Sequence, residues 1–66
     1  MNVVANGTQR EVACGSTVAD LLRSLGLDPA HTVVELDGAP LPRERFADAV
    51  LAPGARVEIA QMVGGG

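Results

Sequence analysis

The chain has 66 residues, enough for one domain near the lower limit of unaided folding. Its single cysteine, Cys14, excludes an internal disulfide framework and any multi-cysteine metal site. The net charge is −3 and all five cations are arginines, while Trp and Tyr are absent and Phe occurs once. That balance argues against nucleic acid, which calls for a clustered basic footprint or aromatic stacking platforms. A hydrophobic fraction of 47% exceeds that of a disordered segment, yet no apolar run approaches the length of a membrane span. The expectation is a folded, cytoplasmic protein with no nucleic-acid or membrane partner.

In chain order, Val3-Val4-Ala5 and Thr8 to Val12 flank Asn6-Gly7. This dipeptide is the strongest short-range hairpin signal, because a type I′ turn requires positive φ at both central positions. A two-residue loop sets Ala5 opposite Thr8, Val3 opposite Arg10 and Met1 opposite Val12, which leaves an arginine facing a core valine. Thr17 and Asp20 have the spacing of a capping box, although Ser16 is a competing cap. Val18, Leu21, Leu22 and Leu25 then follow at i, i+3, i+4, i+7, the apolar stripe of a short helix. Gly26 suits the left-handed position after it, and Pro29 prevents its resumption.

Thr32-Val33-Val34-Glu35-Leu36 reads as a strand ended by Asp37-Gly38, with Ala39-Pro40-Leu41 an edge piece or loop because proline cannot donate to a ladder. Pro42 suits the first position of a helical turn over Arg43-Glu44-Arg45-Phe46. Phe46 and either Val50 or Leu51 close the second end of the core. After the Pro53-Gly54 turn, Arg56 to Met62 alternate, with Val57 and Ile59 on one face and Glu58, Ala60 and Met62 on the other. Hairpin, crossing helix and returning final strand match an α+β, β-grasp (ubiquitin-like) architecture: a mixed sheet of four to five strands on one main helix, plus a short helical turn. The division is a β-grasp domain over 1–62 and a flexible glycine-rich tail over 63–66.

Enzymatic constellations are poor. His31 has no second ligand or base beside it in sequence, so an exposed or capping role is expected. Cys14, between Ala13 and Gly15, reads as a small buried apolar residue rather than a reactive thiol. Asp28, Asp37 and Asp48 are expected in turns or on solvated faces, and Asp20 and Glu58 as surface charges; nothing pairs them for acid–base work. No metal site and no cofactor of the chain's own is expected.

The closing Val63-Gly64-Gly65-Gly66 is different. Three consecutive glycines supply nothing to a core and cost more backbone entropy on ordering than any other residue. They suit insertion into a narrow channel, and four extended residues reach roughly 13–14 Å at about 3.3–3.6 Å each. A terminal α-carboxylate ionises at about 3.3–3.7 and is a poor electrophile at neutral pH. Acyl chemistry at Gly66 therefore requires activation by an ATP-using partner. Ordering three tail residues costs about 3–6 kcal/mol, so the folded body must supply binding surface. The outward face of the final strand, with Ala60, Met62 and the adjoining Val63, is the candidate. The plain alternative is a frayed terminus on a β-grasp binding module.

The sequence resembles the ThiS sulfur carriers of thiamine (thiazole) biosynthesis over nearly its whole length. The resemblance is carried by Asn6-Gly7, Ser16-Thr17-Val18-Ala19-Asp20-Leu21-Leu22, Val33-Val34-Glu35-Leu36-Asp37-Gly38, Pro42-Arg43-Glu44-Arg45-Phe46, Pro53-Gly54-Ala55-Arg56-Val57-Glu58-Ile59 and Val63-Gly64-Gly65-Gly66. It implies a protein co-substrate rather than an enzyme. A ubiquitin-activating-type (ThiF-like) adenylyltransferase would adenylate Gly66 with ATP and magnesium. Sulfur from a cysteine desulfurase or rhodanese-like donor would convert it to a thiocarboxylate, and a ThiG-like thiazole synthase would accept the sulfur. Gly65 and Gly64 form the tail behind it. The small subunit of molybdopterin synthase shares these traits but is usually longer and ends in a plain diglycine.

Overall fold

The computed structural model describes residues 1–62, and Val63, Gly64, Gly65 and Gly66 lie outside the described residues. Two strands open the chain, β1 (Asn2–Ala5) and β2 (Thr8–Glu11), joined by a turn in which Asn6 and Gly7 both have positive φ, 50° and 79°. The expected register holds, with Ala5 opposite Thr8 and Val3 opposite Arg10. The Val3–Arg10 pairing is harmless because β2 is an edge strand with all four residues exposed, so Arg10 reaches water while Val3 is fully buried.

The helix α1 (Val18–Ser24) begins as its sequence dictates. The Thr17 hydroxyl accepts from the Asp20 N–H at 3.2 Å, and the Asp20 carboxylate accepts from the Thr17 N–H at 3.0 Å, closing a reciprocal capping box. It ends on Gly26 at φ 73°, with the Leu27 N–H donating to the Leu22 carbonyl and the Gly26 N–H to that of Arg23. This is the paired-bond stop that a glycine with left-handed backbone permits. Val18, Leu21 and Leu22 are buried, and Leu25 and Leu27 pack against the core edge.

Strand β3 (Thr32–Leu36) is followed by a second two-residue hairpin, Asp37 and Gly38 at φ 51° and 86°, into β4 (Ala39–Leu41). Of the two alternatives for Ala39-Pro40-Leu41, edge piece or loop, the structure takes the edge strand. Asp-Gly carries the same positive-φ signal as Asn-Gly, and Pro40 is admitted because β4 is the other sheet edge. Two 3₁₀ turns, Pro29–His31 and Arg43–Arg45, bracket the β3–β4 hairpin. Pro42 sits just before the second turn in extended conformation (ψ 147°), one residue earlier than expected. Arg43 ties the two turns together by donating to the carbonyls of Pro29 and Ala30 at 2.9 and 3.1 Å.

The last strand, β5 (Arg56–Gln61), enters the middle of a five-stranded mixed sheet of order β2-β1-β5-β3-β4. It runs parallel to β1 and antiparallel to β3. With α1 across one face, this is the β-grasp architecture expected. Val3, Val18, Leu21, Leu22, Val34 and Val57 are its largest fully buried side chains, each stabilising by about 1.5–3 kcal/mol relative to exposure. Phe46 and Leu51 close the far end, while Val50 is 62% exposed.

Besides Pro42, a second expectation fails. Cys14 is exposed, not a buried apolar residue. It lies in a turn closed by the Ser16 N–H on the Ala13 carbonyl, with Gly15 at φ 87°, so the chain leaves the core where the sequence suggested a strand end.

Donation from the Thr17 backbone N–H, then its hydroxyl contact, holds the Asp20 carboxyl below its ordinary value. The Ala30 N–H, then His31, does the same for Asp28. With folded values depressed, the unfolded chain takes up these protons first. The stabilisation is complete above the ordinary carboxylate value and is lost as pH falls below it through the folded values. In acid titrations followed by circular dichroism, Asp20→Asn is expected to start less stable at neutral pH and to show a shallower stability loss on acidification than the parent protein.

Candidate functional site

The described part of the site is the outward face and far end of β5. Asn6 controls where that strand becomes free. Its backbone N–H donates to the Val57 carbonyl at 2.9 Å, continuing the parallel ladder. Its side-chain oxygen then accepts from the Ile59 N–H at 2.7 Å, and its amide donates to the Ile59 carbonyl at 3.0 Å. The side chain thus stands in for one more residue of β1. Beyond Ile59, the partners of β5 among the described residues are on the β3 side: Ala60 opposite Val33, Gln61 opposite Thr32, and the Met62 N–H on the His31 carbonyl at 2.8 Å.

Asp37 performs the corresponding task at the start of β5. Its N–H donates to the Arg56 carbonyl and its carboxylate accepts from the Arg56 N–H at 2.9 Å. The residue types follow from what each end requires. At Ile59 both a donor and an acceptor need partners, which an amide supplies; at Arg56 only the N–H remains, which a carboxylate satisfies. Asn6→Asp is therefore expected to lower stability by about 1 kcal/mol, since it sets a carboxylate against the Ile59 carbonyl, whereas Asp37→Asn keeps its acceptor and costs less. Urea unfolding of the two variants measures the difference.

Among the sequence-assigned residues, Ala60 is exposed and Met62 is 51% exposed, on the face away from α1. Val63, Gly64, Gly65 and Gly66 fall outside the described residues. The structure adds three residues that sequence reasoning did not assign to the site: Val33, 51% exposed and directly opposite Ala60, and Glu35 opposite Glu58. Together with Ile59 and Ala60 they line a shallow depression. The signal was available in the alternation of β3, where Thr32 and Val34 are buried and Val33 and Glu35 are not.

His31 is exposed, with Nδ1 3.1 Å from the Asp28 carboxylate, on the loop that receives the Met62 N–H. Among the described residues, no group of three His, Cys, Asp or Glu side chains comes together as a metal site, and no helix is long and apolar enough to cross a membrane.

Comparison with known proteins points in one direction. The crystal structure of a thiamine biosynthesis protein (ThiS) from Geobacter metallireducens superposes with a TM-score of 0.84 at 35% identity, with full coverage of both chains. The solution structure of a thiamine biosynthesis protein from Geobacter metallireducens gives 0.81 at 35% identity, covering all of this chain and 88% of that one. Two curated proteins named thiazole synthase, from Paramagnetospirillum magneticum and Magnetococcus marinus, are 33% and 30% identical over all 66 residues. The chain spans only 20% of the length of either. The ThiS family model matches residues 3–66, and with that match, over a β-grasp fold whose last strand leads into the glycine tail, the chain belongs to the ThiS family.

Proposed function

We propose that this protein is a cytoplasmic sulfur carrier for thiazole formation in thiamine biosynthesis, with the Gly66 carboxylate as the group that carries the sulfur. Membership of the ThiS family is the observation that carries the reading. Within the described residues, β5 supports it by carrying the exposed Ala60 and leading through the half-exposed Met62 to the start of the glycine tail in the sequence. In this reading the chain is a co-substrate and binds no cofactor itself. An adenylating partner uses ATP and magnesium: the Gly66 carboxylate attacks the α-phosphorus and pyrophosphate leaves. A persulfide from a cysteine desulfurase or rhodanese-like donor then displaces AMP. A thiol reduces the resulting acyl disulfide to the thiocarboxylate, which a thiazole synthase accepts.

Glycine at 64, 65 and 66 matters because the activating site must enclose the acyl group and exclude water, which leaves no room for a Cβ. The half-exposed Met62 and the neighbouring Ala60, just before Val63, supply the apolar contact that offsets ordering of the tail.

Intact-mass spectrometry of the protein from its own host is expected to show replacement of one oxygen by sulfur, localised to Gly66. Removing Gly66, or replacing Gly65 with a bulky residue, is expected to abolish sulfur transfer in a thiazole-forming assay while the circular dichroism spectrum is unchanged. Activity that survives loss of Gly66 would end the proposal. Met62→Asp is expected to weaken binding to the adenylating enzyme by about tenfold, as burial of an unpaired charge would. Calorimetry that finds the affinity unchanged places the docking surface elsewhere.

A further inference from the structure

The outward face of the β3–β5 pair sets two acidic side chains side by side. Glu35 and Glu58 are directly opposite one another in the antiparallel register, and both are exposed. Like charges at such a position destabilise a sheet. Arg56 lies on the same face two residues before Glu58, yet it forms no ion pair with either carboxylate among the described residues. Two residues along the strands, Val33 and Ala60 form the next cross-strand pair on this face, with Val33 half-exposed, and Met62 continues the apolar strip. An acidic pair thus borders an apolar strip on a sheet face that no other element covers among the described residues.

We infer that this face docks a thiazole synthase through an arginine that bridges Glu35 and Glu58, with an apolar side chain of the same surface covering Val33 and Ala60. A planar guanidinium can donate to one oxygen of each carboxylate at once, turning the repulsion of the free domain into two charge-assisted hydrogen bonds in the complex. The charge pattern selects the chemistry of the partner surface, basic beside apolar. The thiazole synthases that contain a segment resembling this whole chain select its identity, because in them carrier-like and synthase sequences share one polypeptide. The inference rests on the proposed role in thiazole formation and adds to it the specific contact.

The test is calorimetric titration of the full chain with a thiazole synthase from the same organism, alongside urea unfolding of the free domain. Glu35→Gln and Glu58→Gln are expected each to weaken binding at least about tenfold, the effect of losing a hydrogen bond to a charged group, and to make binding less sensitive to salt. The same substitutions are expected to leave the unfolding midpoint of the free domain unchanged or raised, since they remove a repulsion. Glu44→Gln, an exposed acid on the second 3₁₀ turn, makes the same change in net charge and is expected to bind as the parent does. If the parent binds and the two Gln variants bind equally well, the bridging contact is overturned and the carrier role stands. A fall in the unfolding midpoint makes the pair structural and also overturns it. If the parent itself shows no binding to the synthase, both readings fall.

Discussion

Everything in this small domain hangs on the parallel pairing of β1 with β5, which joins the two ends of the described chain at the centre of the sheet. Only two register pairs, Val4 with Arg56 and Ala5 with Val57, connect them directly. Such a contact closes a loop of most of the chain, so its entropic cost must be met by what packs on it. Val3 and Val57 meet the buried face of α1 there, and the Asn6 amide adds a further ladder step at Ile59. The ladder also fixes where β5 is released: past Ile59 it has a partner on one side only among the described residues.

That arrangement separates the core from the proposed recognition surface by sheet face. The inner face buries Val3, Val34 and Val57 against α1. The outer face carries the exposed Val33, Ala60 and Met62 beside the exposed Glu35 and Glu58. Because strand residues alternate with a period of two, one strand serves both purposes: β5 supplies Val57 to the core and Glu58 to the surface. Substitutions on the outer face therefore leave the core packing in place.

The two hairpin turns show how one residue can act both locally and at long range. Asn6 and Asp37 each take a positive φ that most residues avoid, and short polar side chains tolerate it best. Each then turns its side chain to the backbone of β5, at opposite ends of the strand, with amide or carboxylate matched to the groups left unpaired. The sequence identified the first hairpin and its register. For the segment after Asp37-Gly38 it left an edge strand or a loop open, and the structure takes the edge strand, where Pro40 is admitted.

By itself the sequence determined the features whose causes are local. The Thr17–Asp20 box, the leucine stripe, the Gly26 stop and the Asn6-Gly7 turn all arise from dihedral preferences and hydrogen bonds among near neighbours. The order of elements and the resemblance carried by the motifs led from there to the β-grasp fold and the ThiS family. Tertiary structure alone decided which of Val50 and Leu51 is buried, that Cys14 faces solvent, and that the Asn6 amide meets Ile59 across 53 positions. It also decided that Glu35 stands opposite Glu58 and Val33 opposite Ala60. The reason is physical: register between distant strands is set by how their buried faces fit the helix, and no residue's own preference encodes its partner on another strand.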